Sequence, residues 1–194
     1  MSLAGYIYAM NNCELNNLAK NRFIDEETQI GLAECRHLMA RRYLASNPNL
    51  CEEAKETLLS GRANSVKFDM IATGNLNDNP ELISKVYNEA PTRMLNTMWR
   101  LGYTFIGGGW SRRSKVNTPT ETLKDIYLTF LRPLESPTGR DSYHGNGYWA
   151  EHLASHPNTD EELAVIMSTS SCDRTKNAAF AKLVDLRNSK NEES

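Results

Sequence analysis

The sequence predicts an all-α fold, a short array of about five irregular two-helix repeats interrupted by two loop insertions. Three observations carry the prediction. The stretch Tyr43-Leu44-Ala45-Ser46-Asn47-Pro48-Asn49-Leu50 returns in close form as His152-Leu153-Ala154-Ser155-His156-Pro157-Asn158-Thr159. In each copy the residue before proline is pushed out of the α region, which ends one helix, and the Pro-Asn that follows leads into the next. Asp25, Asn49, Asp78, Thr118 and Thr159 then stand as capping residues, each followed by acids that suit the positive end of a helix dipole. The first two intervals between these caps are short and the last two long. Each long one holds a segment without helical pattern, 101–116 and 132–147. Repeat arrays accept such insertions, because a unit needs only its neighbours to complete a core.

Taken in order, Tyr6, Ala9, Met10, Cys13 and Leu18, with Leu15 between, suggest a first helix that caps the array over residues 1–17. Leu18-Ala19-Lys20-Asn21 followed by Asp25-Glu26-Glu27 is a corner without proline. Asn49 and Glu52 have capping-box spacing, and Ala54 and Leu58 continue at helical spacing until Ser60-Gly61 breaks the run. Val66, Met70 and Ile71, with Phe68 beside them, lead to Thr73-Gly74-Asn75, which stands where Ser46-Asn47-Pro48 stood one unit earlier. Asp78-Asn79-Pro80-Glu81 opens the next unit. Its stripe is Leu82, Ile83, Val86 and Tyr87, its break Ala90-Pro91, and its second run Met94, Leu95, Met98 and Trp99. Thr118-Pro119-Thr120-Glu121 reads as a capping box with proline at the first helical position, ahead of Leu123, Ile126, Tyr127 and Phe130. Thr159-Asp160-Glu161-Glu162 is a further box, followed by Leu163, Ile166 and Met167, a Ser/Thr-rich break, and Ala178, Ala179, Ala181 and Leu183. One domain therefore spans 1–184, with a frayed polar tail at 185–194.

The recurring Leu-Ala-x-x-Pro-Asn, acids, short apolar helix, polar break and second apolar helix resemble the variant leucine-rich repeat, a helical family akin to HEAT and armadillo arrays. Leu44 to Asn49 and Leu153 to Asn158 carry the resemblance, with weaker support at Leu18 to Asn21, Ile71 to Pro80 and Asn117 to Glu121. It covers most of the chain from Leu18 to Val184, and the unit lengths are less regular than the family's. What it implies is a short right-handed α-solenoid that serves as a binding scaffold, with no catalytic residues.

Composition narrows the function further. Hydrophobic residues at 40% and charged residues at 24% suit a soluble globular chain rather than a disordered one. A net charge of -2 excludes nucleic-acid binding through bulk charge and leaves room only for a local basic face. No apolar run approaches the roughly 18 residues of a membrane span, and Met1-Ser2-Leu3-Ala4-Gly5-Tyr6 lacks a basic leader, so no membrane association and a cytoplasmic setting are expected. Cys13, Cys35, Cys51 and Cys172 form no CxxC pair and read as buried free thiols.

The first insertion and its approach are the most distinctive stretch. No Asp or Glu occurs between Glu89 and Glu121, whereas Arg93, Arg100, Arg112, Arg113 and Lys115 all do, interleaved with Trp99, Tyr103, Phe105 and Trp110. Rings among guanidinium groups suit either a protein partner or a single-stranded nucleic acid, whose bases stack while its phosphates pair with arginine. The glycines at 107–109 lack the Walker spacing, and the plain alternative is a loop whose Trp99, Phe105 and Trp110 pack on the scaffold. In the second insertion Arg140, Tyr143 and His144 extend the candidate surface. The ligand-binding set is therefore Arg93, Arg100, Tyr103, Trp110, Arg112, Arg113, Lys115, Arg140, Tyr143 and His144. His152 and His156 share a helical spacing without the HExxH glutamate, and His156 falls where Asn47 ends the earlier helix, which argues against a metal. The acidic runs are helix first turns. The expectation is a non-catalytic scaffold without cofactor or metal that binds a protein through a concave face and its insertions, with RNA or DNA as the alternative ligand.

Overall fold

The computed structural model describes residues 3–96, 101–107, 116–135 and 146–192. Every regular element among them is helical and none is a strand. No described helix is long and apolar enough to cross a membrane. The chain forms two compact units, Met1–Asp78 and Asn79–Ser194.

The first unit holds α1 (Leu3–Ala9), α2 (Asn12–Lys20), α3 (Glu26–Glu34), α4 (Leu38–Ala45), α5 (Glu52–Ser60) and α6 (Asn64–Ala72). The single cap helix expected at the start is two helices. Asn11 ends the first and opens the second with a full capping box: its side chain accepts from Cys13 N and Glu14 N, and Glu14 Oε2 accepts from Asn11 N at 2.8 Å. Helices pack with their second neighbours as well as their first. α1, α3 and α5 form one row, α2, α4 and α6 the other, and consecutive helices from α2 to α6 tie the rows together. Leu32, Ala40, Leu44, Ala45, Ala54, Met70 and Ile71 between them are fully buried. Truncating a core leucine such as Leu44 to alanine costs about 2–5 kcal/mol. Gly31 lies inside α3 because Ile7 of α1 closes over it; a Cβ there would come within 2.5 Å of Ile7 Cδ1. At the polar edge Lys20 sits 4.4 Å over the Tyr43 ring and Arg42 pairs with Asp69 at 2.6 Å, joining α2 to α4 and α4 to α6.

The second unit holds α7 (Pro80–Glu89), α8 (Thr92–Leu95), a π-helical turn (Gly102–Ile106), α9 (Thr120–Ile126), α10 (Asn146–Ala154), α11 (Glu161–Ser168) and α12 (Asp173–Glu192). α9 runs on through a π-helical stretch (Tyr127–Leu131) into a 3-10 turn (Arg132–Leu134), where Pro133 lacks the N–H that another helical turn needs. α12 packs against α10 and α11, and α10 also against both π-helical segments. Phe105, Leu123, Ile126, Tyr127, Leu131, Trp149, Leu153 and Leu163 fill the core. Burial raises the Tyr87 and Tyr127 phenols well above the usual tyrosine range, reinforced by their hydrogen bonds to Asp125 and Glu135.

Three features differ from the expectation. The first insertion is shorter than 101–116, because Leu101, Gly102, Thr104, Phe105 and Ile106 are buried in a helical turn and Val116 is buried too. The tail does not fray at 185: α12 continues to Glu192, with Lys190 bound to Glu161 at 2.6 Å. Of the thiols, Cys35 and Cys172 are buried, Cys51 is partly exposed and Cys13 exposed.

The corners explain how these short helices hold together. Asn47 is buried; its Nδ2 donates to Asn21 O at 3.4 Å and its Oδ1 accepts from Asn49 N at 3.0 Å. Asn75 repeats the link, its Nδ2 donating to Asn47 O at 3.0 Å and Ala45 O at 2.8 Å. Gln29, also buried, donates to Ile24 O and Asn49 O and accepts from Cys51 N. In the second unit His156 Nε2 meets Val116 O at 2.8 Å, while Nδ1 accepts from Asn158 N at 3.1 Å.

These bonds also correct the expected caps. Asp25 caps as expected, accepting from Thr28 N at 2.7 Å. Asn49 instead reaches back to Arg22 O, leaving Cys51 at the start of α5. Thr118 and Thr159 donate back to Phe105 O and Leu153 O, both at 2.6 Å, so α9 starts after Pro119 and α11 is capped by Asp160. Asn79, not Asp78, caps α7.

One separation recurs in the second unit, beside the 40 residues between His156 and Val116. Ser84 with Thr122, Tyr87 with Asp125, Thr120 with Asn158, and Lys124 with Glu162 are all hydrogen-bonded pairs 38 residues apart. In the first unit the corner links span 26 residues for Asn47 with Asn21, 28 for Asn75 with Asn47 and 30 for Asn75 with Ala45.

Candidate functional site

Where the first insertion begins and the second ends, aromatic side chains gather on one buried ring. Trp149, in α10, is 1% exposed. The turn that starts the first insertion reaches it because Gly102 has no side chain; a Cβ there would overlap the indole. Tyr103, next in that turn, meets Trp149 edge-on at 5.3 Å, and Tyr148 meets it edge-on at 5.1 Å. His152, one turn further along α10, lies 4.4 Å from the Tyr148 ring centre. Arg174 of α12 places its guanidinium 5.8 Å from the same ring and pairs with Glu151.

Tyr103, Tyr148 and His152 are half-buried, so part of each side chain remains exposed. Burial raises the Tyr103 phenol above its ordinary range, with Tyr148 adding to the effect. Burial also lowers the His152 imidazole below the usual histidine range, with Glu151 opposing and Arg174 reinforcing the change. At neutral pH the Tyr103 phenol is therefore protonated and the His152 imidazole uncharged, and Arg174 and Glu151 form a balanced pair. Such a surface offers ring faces, phenol hydroxyls and one guanidinium, the groups that dominate protein recognition hot spots. Because that guanidinium is already paired, the described part of the site carries little net attraction for phosphate.

Of the residues expected in the site, Tyr103 belongs to this cluster. Arg93 is exposed in the last turn of α8 and is not part of it. Arg100, Trp110, Arg112, Arg113, Lys115, Arg140, Tyr143 and His144 lie outside the described residues. Sequence reasoning missed Tyr148, Trp149 and Arg174, and weighed His152 only as a metal ligand. The signal available was the Tyr148-Trp149 pair just after the second insertion. His156, the other half of that metal question, is occupied by Val116 O and Asn158 N. Among the described residues no group of three His, Cys, Asp or Glu side chains is placed to hold a metal ion.

A concavity of about 600 Å³ lies along the starts of α7, α9 and α11, lined by Pro80, Pro119, Pro157 and Leu186 among others. Several of its polar groups bond to one another, Thr120 to Asn158 O and Asn158 Nδ2 to Asn117 Oδ1. Compared with protein-family models, with curated proteins and with solved structures, the chain matches none.

Proposed function

We propose that the chain is a non-catalytic scaffold, a short right-handed α-solenoid of about five irregular two-helix repeats, that binds another protein at the Tyr103–Tyr148 cluster. One observation carries the reading: Tyr103, from the start of the first insertion, and Tyr148, from just past the second, stand against the same buried indole. The recurring separation of the bonded pairs in the second unit supports the repeat architecture. Affinity capture with the intact chain and with a Tyr103→Ala/Tyr148→Ala variant, followed by identification of the bound proteins, tests the site. A partner held by the intact chain and lost with the folded variant is expected. Undiminished recovery would remove these tyrosines from the interface.

The acid-free window between Glu89 and Glu121, with its five cations, favours a second reading, single-stranded nucleic acid. Its mark is an affinity for a labelled oligonucleotide that falls steeply with salt, and a slope that flattens in an Arg112→Ala/Arg113→Ala variant. No binding at low salt rejects it.

A further inference from the structure

The first unit contains an open groove of about 580 Å³ bordered by α1, the start of α2 and the α3–α4 corner. Its volume falls inside the range of about 300–1,000 Å³ typical of small-molecule sites. We propose that it binds a small amphipathic organic anion, a short carboxylate carrying a hydrocarbon or aromatic body.

The two halves of that ligand correspond to two halves of the lining. The buried side chains of Ile7 and Leu15, 2% and 6% exposed, form the apolar part, and the Tyr8 ring stands beside them. Cys35 completes this wall; burial pushes its thiol above the usual range, so at neutral pH it is an uncharged surface. The polar part consists of donors. His37 accepts the Ala40 N–H at Nδ1, at 3.3 Å, which places the ring proton on Nε2. Arg36 is exposed, and no carboxylate among the described residues forms an ion pair with it. Asn12 adds an amide, and no Asp or Glu lines the groove. A guanidinium, an amide and an imidazole N–H beside apolar side chains complement a carboxylate attached to a hydrophobic group; a cation or a fully polar solute matches neither half.

The test is a titration of the full, 15N-labelled chain with sodium octanoate and, separately, with octan-1-ol, which has the same hydrocarbon and no charge. Octanoate is expected to shift the amides of residues 7–15 and 35–38 saturably, with octan-1-ol about tenfold weaker. Arg36→Gln, a change at an exposed position that leaves the fold intact, should reduce octanoate to the level of the alcohol. Leu15→Phe, which fills the apolar half, should weaken both. Equal affinity for the two ligands, an Arg36→Gln protein with undiminished octanoate binding, shifts confined to other regions, or no saturable shift would each overturn the proposal.

Discussion

His156 does with an imidazole what Asn47 does with a carboxamide. Each is 3% exposed, each accepts the backbone N–H two residues ahead, and each reaches a main-chain oxygen of the preceding corner. The reach differs: the imidazole places Nε2 2.8 Å from Val116 O, whereas the shorter Asn47 side chain leaves Nδ2 3.4 Å from Asn21 O. A graded result follows from that difference. His156→Ala strands both the Asn158 N–H and the Val116 carbonyl and should cost about 2–3 kcal/mol, while His156→Asn keeps the near bond and should cost about 1 kcal/mol. Urea unfolding of the two variants decides it, and equal losses would show that the near bond carries no weight.

Gln29 makes a related prediction in the first unit. Its side chain serves Ile24 O, Asn49 O and Cys51 N at once. Gln29→Leu preserves the volume and removes all three partners, so a loss of about 2–4 kcal/mol is expected. Amide exchange at Cys51 should accelerate ahead of exchange at Leu58, and an unchanged Cys51 rate would contradict the assignment.

Gly102 should tolerate no side chain while Trp149 is present. Gly102→Ala forces a methyl group into the indole and should cost about 1–3 kcal/mol. In a Trp149→Leu background the same substitution should cost much less, although the background is itself destabilised. Thermal unfolding of the four proteins in this cycle measures the coupling, and additive losses would mean that the two residues do not meet.

His152 gives the aromatic cluster a pH dependence. Its folded pKa lies below the ordinary value of 6.5, so just below that value the unfolded chain binds the proton more readily than the folded one. Stability from this group is complete above about 6.5, declines as the pH falls toward the lowered folded value, and levels off below it. Urea midpoints at pH 7.5 and 5.5 should therefore separate less in His152→Gln than in the parent chain. Identical separations would assign the titration to other groups.

The corners are legible in the sequence because proline and asparagine act on the residues beside them. Leu44 to Asn49 and Leu153 to Asn158 mark the end of one helix and the approach to the next without help from the rest of the chain. The caps are less legible, for the reason shown by Thr118 and Thr159: a threonine ahead of a helix is equally suited to bond backward, and the carbonyl that draws it belongs to a distant segment or an earlier turn. Position 102 shows a similar limit. Glycines and aromatics in 101–107 resemble a loop by composition, and it is packing on Trp149 and Tyr87 that turns that stretch into core. The site divides the same way, since Tyr103 stands out by its basic and aromatic neighbours, while Tyr148, His152 and Arg174 become a group only when α10 and α12 meet.

In the asparagine and histidine links between corners, the donor is a side chain and the acceptor is a peptide oxygen, which every amino acid possesses. Half of each joint is thus spelled by a particular letter, and the other half by none. Substitutions at the accepting positions leave the joint its oxygen, so much of the lettering around it can be rewritten, and the same kind of bond serves across 26 residues at Asn47 and across 40 at His156.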